Sequence, residues 1–156
     1  MEIKEFIKKN EEIYVKLLCN LIRAKTVNPP GDEYLAAKVI KKRISKIGAK
    51  YDTYEKVKHR TNLVAKVGNE KGKKILISTH LDTVPAGDGW ETDPFEPVIK
   101  DGKVYGRGAC DNKGQATASV FVLDCLKQME KTLKNQYIFL YAADEEVGSS
   151  AGVKYL

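Results

Sequence analysis

Three short clusters of ionisable residues carry the chemistry in this chain. The first is His80-Leu81-Asp82. An imidazole is a good ligand for zinc, and a nearby carboxylate can hold its other ring nitrogen. In an extended segment, residues two apart face the same side. The second cluster is Gly106-Arg107-Gly108-Ala109-Cys110-Asp111-Asn112-Lys113-Gly114. Its glycines permit tight turns and close backbone approach. A single Asp in such a loop suits the bridging of two cations, one per carboxylate oxygen. The third is Asp144-Glu145-Glu146. Three adjacent acids repel one another, so something must offset the charge, and a metal would do so. Adjacent glutamates can also take different roles, one as ligand and one as proton carrier. Each cluster alone has a plainer reading. These are a surface His beside an Asp, a turn Asp capping a helix, and an acidic helix start favoured by the dipole.

The elements that must position these clusters follow from periodicity. Ile3, Phe6, Ile7, Ile13, Leu17, Leu18, Leu21 and Ile22 recur at helical spacing and predict a helix over 3–22. Asn28-Pro29-Pro30-Gly31 breaks the chain, and Asp32 is placed to cap a second helix. That helix has the stripe Leu35, Ala36, Val39, Ile40, Ile44, Ile47, and Gly48 ends it. Strands are expected over 50–56, as an edge strand, then over 62–67 and 74–79. Ile75-Leu76-Ile77 is a continuous apolar run, the pattern of a central strand. A long loop follows from Leu81 to about Pro97, then a hairpin turning at Asp101-Gly102. A helix is expected from Lys113 to about Lys131, a buried strand over 136–142, and a last helix from Ser149 or Ser150.

Helices alternating with buried strands predict an α/β class with a mixed, largely parallel sheet flanked by helices. In open α/β sheets, ligands bind beyond the C-terminal ends of strands. His80 with Asp82, and Glu145 with Glu146, both stand at such ends, and the intervening loop delivers Asp111. The three clusters are therefore expected to converge.

Bulk properties narrow the classes. A length of 156 residues suits one domain or part of a larger one, and 42% hydrophobic residues allow a real core. No run of about 18 apolar residues exists, so no membrane span is expected. Residues 1–6 are charged and amphipathic, without the apolar block and cleavage site of a signal peptide, and the expected location is cytoplasmic. The three cysteines, Cys19, Cys110 and Cys125, are odd in number and form no CxxC pair. That argues against a disulfide framework and a thiolate zinc site. Cys19 and Cys125 lie among leucines and read as buried small hydrophobes. The net charge of +6 comes from lysines spread along helices and alternating with glutamates. Without a compact basic and aromatic cluster, no nucleic-acid partner is expected.

Taken together, HxD, GRGxxDxKG and EExGS resemble the zinc-dependent aminoacylase, acetylornithine deacetylase, succinyl-diaminopimelate desuccinylase and carboxypeptidase G family. The likeness extends over nearly the whole chain. It includes Thr26-Val27-Asn28-Pro29-Pro30-Gly31, Arg60-Thr61-Asn62-Leu63-Val64, His80-Leu81-Asp82-Thr83-Val84-Pro85, Trp90, Asp93-Pro94-Phe95 and Asp101-Gly102-Lys103-Val104-Tyr105-Gly106-Arg107-Gly108. The resemblance implies two divalent metals, zinc or alternatively cobalt. His80 would hold one, Asp111 would bridge both, and Glu146 would hold the second. Asp82 would orient His80, and Glu145 would serve as general base. It also implies a cis peptide bond after the bridging Asp. The implied reaction is hydrolysis of an amide in an N-acyl amino acid or small peptide, with Glu145 carrying the proton.

The same resemblance implies parts that this chain does not supply. The family adds a further Asp or Glu to the first metal and a His to the second. It also has a small inserted lid and dimerisation domain, and its members are often homodimers. Residues 1–156 therefore read as a partial, N-terminal portion of a catalytic domain, with two matched ligands per metal. The alternative is an inactive remnant, or one half of a split enzyme. His59, before the first motif in a Lys/Arg stretch, is given no role.

Overall fold

The computed structural model describes residues 2–156. Helix α1 covers Ile3–Arg23, and α2 covers Tyr34–Lys46. Strands β1 (Lys50–Glu55), β2 (Thr61–Gly68) and β3 (Lys74–His80) follow, then the hairpin β4 (Val98–Lys100) and β5 (Lys103–Tyr105). Helix α3 (Lys113–Gln128), a single 3-10 turn at Glu130–Thr132 and strand β6 (Gln136–Ala142) complete the order.

The main sheet runs β1-β2-β6-β3, and the hairpin stands apart as its own pair. The sheet is mixed, as expected, but its parallel share is smaller than the sequence suggested. Only β3 and β6 pair in parallel, while β1–β2 and β2–β6 are antiparallel. The physical reason is that β2 and β3 are not neighbours. β6 enters between them and runs with β3, and so against β2.

One sheet face is covered. Leu63, Ala65 and Val67 of β2 and Phe139 and Tyr141 of β6 project from it and are buried. They meet Ile40 and Ile44 of α2 and Val120 and Leu123 of α3, all fully buried. Helix α1 lies over α3 and α2, adding Leu17 and Leu21 to the same core. Burial of each such Leu or Ile stabilises by roughly 1.5–3 kcal/mol. A polar cluster pins the three helices together. The Tyr14 hydroxyl donates to Asp124 Oδ2 at 2.7 Å, and Arg43 Nη2 donates to the same oxygen.

Four expectations are corrected. β3 is an outer strand, with Leu76 60% and Ile75 37% exposed, because nothing among the described residues pairs beyond it. Asp32 does not cap α2. It takes a left-handed φ of 54°, and its carboxylate lies 3.4 Å from His59 Nδ1. Residues after Glu146 form successive turns rather than a helix. Ser149 sits at φ 61°, and the Ala151 amide, which a helix would direct to a backbone carbonyl, donates to the Asp144 side chain. Cys125 is only half-buried, whereas Cys19 is buried as expected. No helix among the described residues is long and apolar enough to cross a membrane.

Candidate metal centre

Strand register brings two of the clusters together. His80 closes β3 and pairs with Ala142, so the Asp144-Glu145-Glu146 turn leaves β6 directly beside it. The Leu81 amide donates to the Ala142 carbonyl at 2.9 Å and carries the pairing one residue further. The third cluster arrives from the side. The Lys113 amide donates to the Gly108 carbonyl at 2.9 Å and closes the loop that carries Asp111. Gly108 is required there: its φ is 83°, and a Cβ would lie 2.8 Å from Thr83 Cγ2. The Asp111–Asn112 peptide is cis, as the resemblance implied.

Ligand-type atoms of His80, Asp111 and Glu146 lie within 4.8 Å of one another. His80 Nε2 is 3.1 Å from Asp111 Oδ1 and 3.8 Å from Glu145 Oε2. His80 Nδ1 lies 3.1 Å from the Asp82 carbonyl oxygen and 3.3 Å from Asp82 Oδ1. His80 and Asp82 are buried, while Asp111 and Glu145 are open to solvent at 72% and 52%. A buried base thus faces outward-reaching acids, a donor set of one imidazole and carboxylates that fits a hard or borderline divalent cation.

Electrostatics agree with that fit. Burial works against a charged His80 ring, but Asp82, Asp111 and Glu145 outweigh it and hold its pKa up to about 9. Burial raises Glu146, and the neighbouring acids Asp111, Asp82 and Glu145 raise it further against the pull of His80. Such a cluster of like charges is relieved by a cation. At Asp82 burial again opposes the ionised form. His80, the Asn28 amide and the backbone N–H groups of Glu146 and Glu145 prevail, and the carboxyl stays below its ordinary value.

Some of the surrounding residues were not singled out by sequence reasoning. Lys113 is fully buried and donates to the Ala24 carbonyl at 3.2 Å. Burial pushes its ammonium down to about 7 despite the opposing pull of Asp82. Asp144 turns away from Glu145 and Glu146. Its Oδ2 accepts from Ala151 N at 2.8 Å and Ser150 Oγ at 3.0 Å, and its Oδ1 accepts from Arg60 Nη2 at 2.8 Å. Part of the charge of the acid triplet is therefore offset inside the protein. Asn62 holds the same turn, donating to the Ala151 carbonyl and accepting from Ala143 N. Lys113 and Asp144 lie inside two of the clusters, but nothing in their spacing marked either as turned inward, and Asn62 was marked only by its place in the family-like stretch that begins at Arg60. His59 packs tilted against the Tyr34 ring, centroids 4.4 Å apart, and takes no part in the centre.

An open-ended α/β sheet carrying an imidazole–carboxylate cluster at its strand ends has the architecture of a metallopeptidase catalytic domain. Residues 76–156 match the family described as peptidase family M20/M25/M40, and the chain belongs to that family. It is 37% identical over 158 residues to a protein from Methanocaldococcus jannaschii described as an uncharacterized metallohydrolase, which covers 91% of this chain and 38% of the relative. It is 35% identical over 142 residues to a succinyl-diaminopimelate desuccinylase of a Sulfurovum species, covering 91% of this chain and 36% of that enzyme. Among solved structures, human carnosine dipeptidase 1 superposes with a TM-score of 0.78 at 26% identity, over 94% of this chain and 35% of that one. An M20 family metallo-carboxypeptidase from Sulfolobus solfataricus gives 0.74 at 27% identity, over 87% and 32%. The chain therefore spans a little over a third of the length of these relatives.

Proposed function

We propose that this chain supplies half of a two-metal centre that hydrolyses amide bonds in N-acyl amino acids or small peptides. The observation that carries the reading is the convergence of His80, Asp111 and Glu146 within 4.8 Å at the ends of β3 and β6. His80 and Asp111 would hold one divalent metal, and Asp111 and Glu146 the other. Zinc is our preferred metal, because the mixed imidazole and carboxylate donors suit it. Bound metal supplies polarisation of the scissile carbonyl and a lowered pKa for water. Asp82 holds the second ring nitrogen of His80. Glu145, open to solvent with Oε2 near His80 Nε2, takes a proton from the attacking water and returns it to the leaving amine.

Catalytic zinc usually has three protein ligands. Two per metal leave the remaining ligands, and a substrate-closing lid, to polypeptide outside residues 1–156. The substrate preference, deacylase or dipeptidase, would be set there. The acyl-amino-acid reading is favoured by the desuccinylase relative, which shares 35% identity over 91% of this chain. The peptide reading is favoured by the structural likeness to carnosine dipeptidase.

The test is zinc titration by calorimetry of the purified chain and its His80→Ala variant. Binding by the parent and loss in the variant would support a preformed half-site. Equal binding by both would overturn the assignment of His80. Absence of binding in both would favour the second reading, a chain that keeps the family's residues without its activity.

A further inference from the structure

Three buried acids lie behind the metal-facing residues. Glu33 and Asp82 are fully buried, and Asp144 is 2% exposed. Buried carboxylates persist only where charge and hydrogen bonds compensate them. Arg60 compensates two of them at once. Its Nε and Nη2 donate to Glu33 Oε2 and Oε1 at 2.7 and 2.8 Å, and Nη2 also reaches Asp144 Oδ1 at 2.8 Å. Glu33 Oε1 accepts from the Asp144 backbone N–H at 3.0 Å.

Asn28 joins this pair to the metal centre. Its Nδ2 donates to Asp82 Oδ2 at 2.8 Å and to Asp144 Oδ1 at 3.3 Å. Both neighbours are carboxylates, so the amide nitrogen, not the oxygen, must face them. Asp82 in turn accepts from the backbone N–H of Glu145 and of Glu146, at 3.1 and 3.0 Å, and contacts His80. Asp82 thus fixes both the imidazole and the turn that presents Glu145 and Glu146.

The backbone holds Asn28 in register. Thr26 Oγ1 donates to the Leu81 carbonyl, Thr83 N to the Thr26 carbonyl and Asn28 N to the Thr83 carbonyl. Residues 26–28 therefore lie strand-like beside 81–83. Gly31 opens the space for Arg60: its φ is 104°, and a Cβ there would lie 2.5 Å from Arg60 Nε.

We propose that Asn28 and Arg60 are positioning residues for the metal centre. They complete a hydrogen-bonded chain, Glu33–Arg60–Asp144–Asn28–Asp82, that sets the Asp82 carboxylate and through it the His80 ring and the Glu145–Glu146 turn. The proposal rests on the metal-centre reading above. Without Asn28, Asp82 and Asp144 face each other as like charges with no N–H between them, and Asp82 rotates. Loss of such outer partners weakens metal binding by about 10- to 100-fold.

The test uses the 156-residue chain labelled with [15N]histidine, in four forms: parent, N28A, R60K and D124N. Asp124 sits in the remote Tyr14–Arg43 cluster, so D124N controls for destabilisation without touching the chain of acids. Ring-nitrogen spectra without metal, with the His80 signals assigned by their loss in His80→Ala, are followed by zinc titration. N28A is expected to shift the His80 ring signals and to weaken zinc about 10- to 100-fold, while D124N does neither. R60K, which keeps a cation but loses the planar fork, is expected to move both readouts less, and it carries the test if N28A does not fold. His80 signals and zinc affinity matching the parent in N28A and R60K would overturn the proposal and leave the metal reading standing. Shifted His80 signals with no zinc binding by any form would uphold the positioning chain and sink the metal reading.

Discussion

Glu145 and Glu146 are neighbours with different surroundings. Glu145 is open to solvent and its Oε2 lies 3.8 Å from His80 Nε2, whereas Glu146 groups with His80 and Asp111 as ligand-type atoms. A proton carrier can lose its charge without disturbing ligation, but a ligand cannot. Glu145→Gln is therefore expected to leave zinc affinity close to that of the parent, while Glu146→Gln weakens it at least tenfold, an order set by loss of a direct ligand. Calorimetry on the two variants decides this, and equal weakening would exclude Glu145 as the base. The buried acids also set a pH dependence. At Asp144, burial opposes ionisation, but Ala151 N–H, Asn28, Ser150 and Arg60 outweigh it, so its folded carboxyl lies below the ordinary value, as does that of Asp82. A depressed folded pKa contributes stability that is full above the unfolded value, about 4, and is lost as pH falls through it toward the folded value. Unfolding in urea from about pH 5 down to about pH 3 should show stability falling as these two carboxylates take up protons. A curve unchanged across that range would count against the network.

At the scale of elements, the three helices are joined by one polar cluster inside an apolar layer. Tyr14 comes from α1, Arg43 from α2 and Asp124 from α3, and Arg43 also donates to the Tyr14 hydroxyl at 3.1 Å. The Arg43 and Asp124 side chains are only 16% and 7% exposed, so the pair is shielded from screening. Asp124→Asn removes the charge that both donors share. Hydrogen bonds to charged groups contribute about 1.5–3 kcal/mol, so a loss near 2 kcal/mol is expected. For a chain of this size that lowers the melting temperature by roughly 4–8 °C. A shift under a degree would mean that the apolar contacts alone orient the helices. The surface pair of Arg23 and Glu96 is a contrast: both partners are about half exposed, and its removal is expected to change little.

For the whole molecule, asymmetry of the sheet matters most. The helices cover one face. On the other, Leu76, Ser78 and His80 share the alternating side of β3, so the metal centre stands at the end of a face that helices do not shield. Leu76 is 60% exposed, Tyr54 38% and Leu156 52%, and the outer edge of β3 is unpaired among the described residues. An apolar face beside an open edge favours association. Leu76→Lys is expected to reduce light scattering at high protein concentration without altering the far-ultraviolet spectrum. Scattering that does not respond would place any association elsewhere.

Periodicity and composition determined the order of elements through β6, the α/β class, the buried Ala36, Ile40 and Ile44 of α2, and the clusters around His80, Asp111 and Glu145–Glu146. Those features depend on spacing along one strand or helix, which a sequence displays directly. The outward position of β3 was not legible, because Ile75-Leu76-Ile77 reads as a central strand whatever lies beside it. Nor was the inward turn of Asp144. Nothing in three consecutive acids says that one faces Arg60, contributed from 84 positions earlier, while the others face His80. The role of Asn28 between Asp82 and Asp144 likewise spans separations of 54 and 116 residues. Contacts of that kind exist only once strand order and register bring distant segments to one edge of the sheet, and that decision belongs to the tertiary structure.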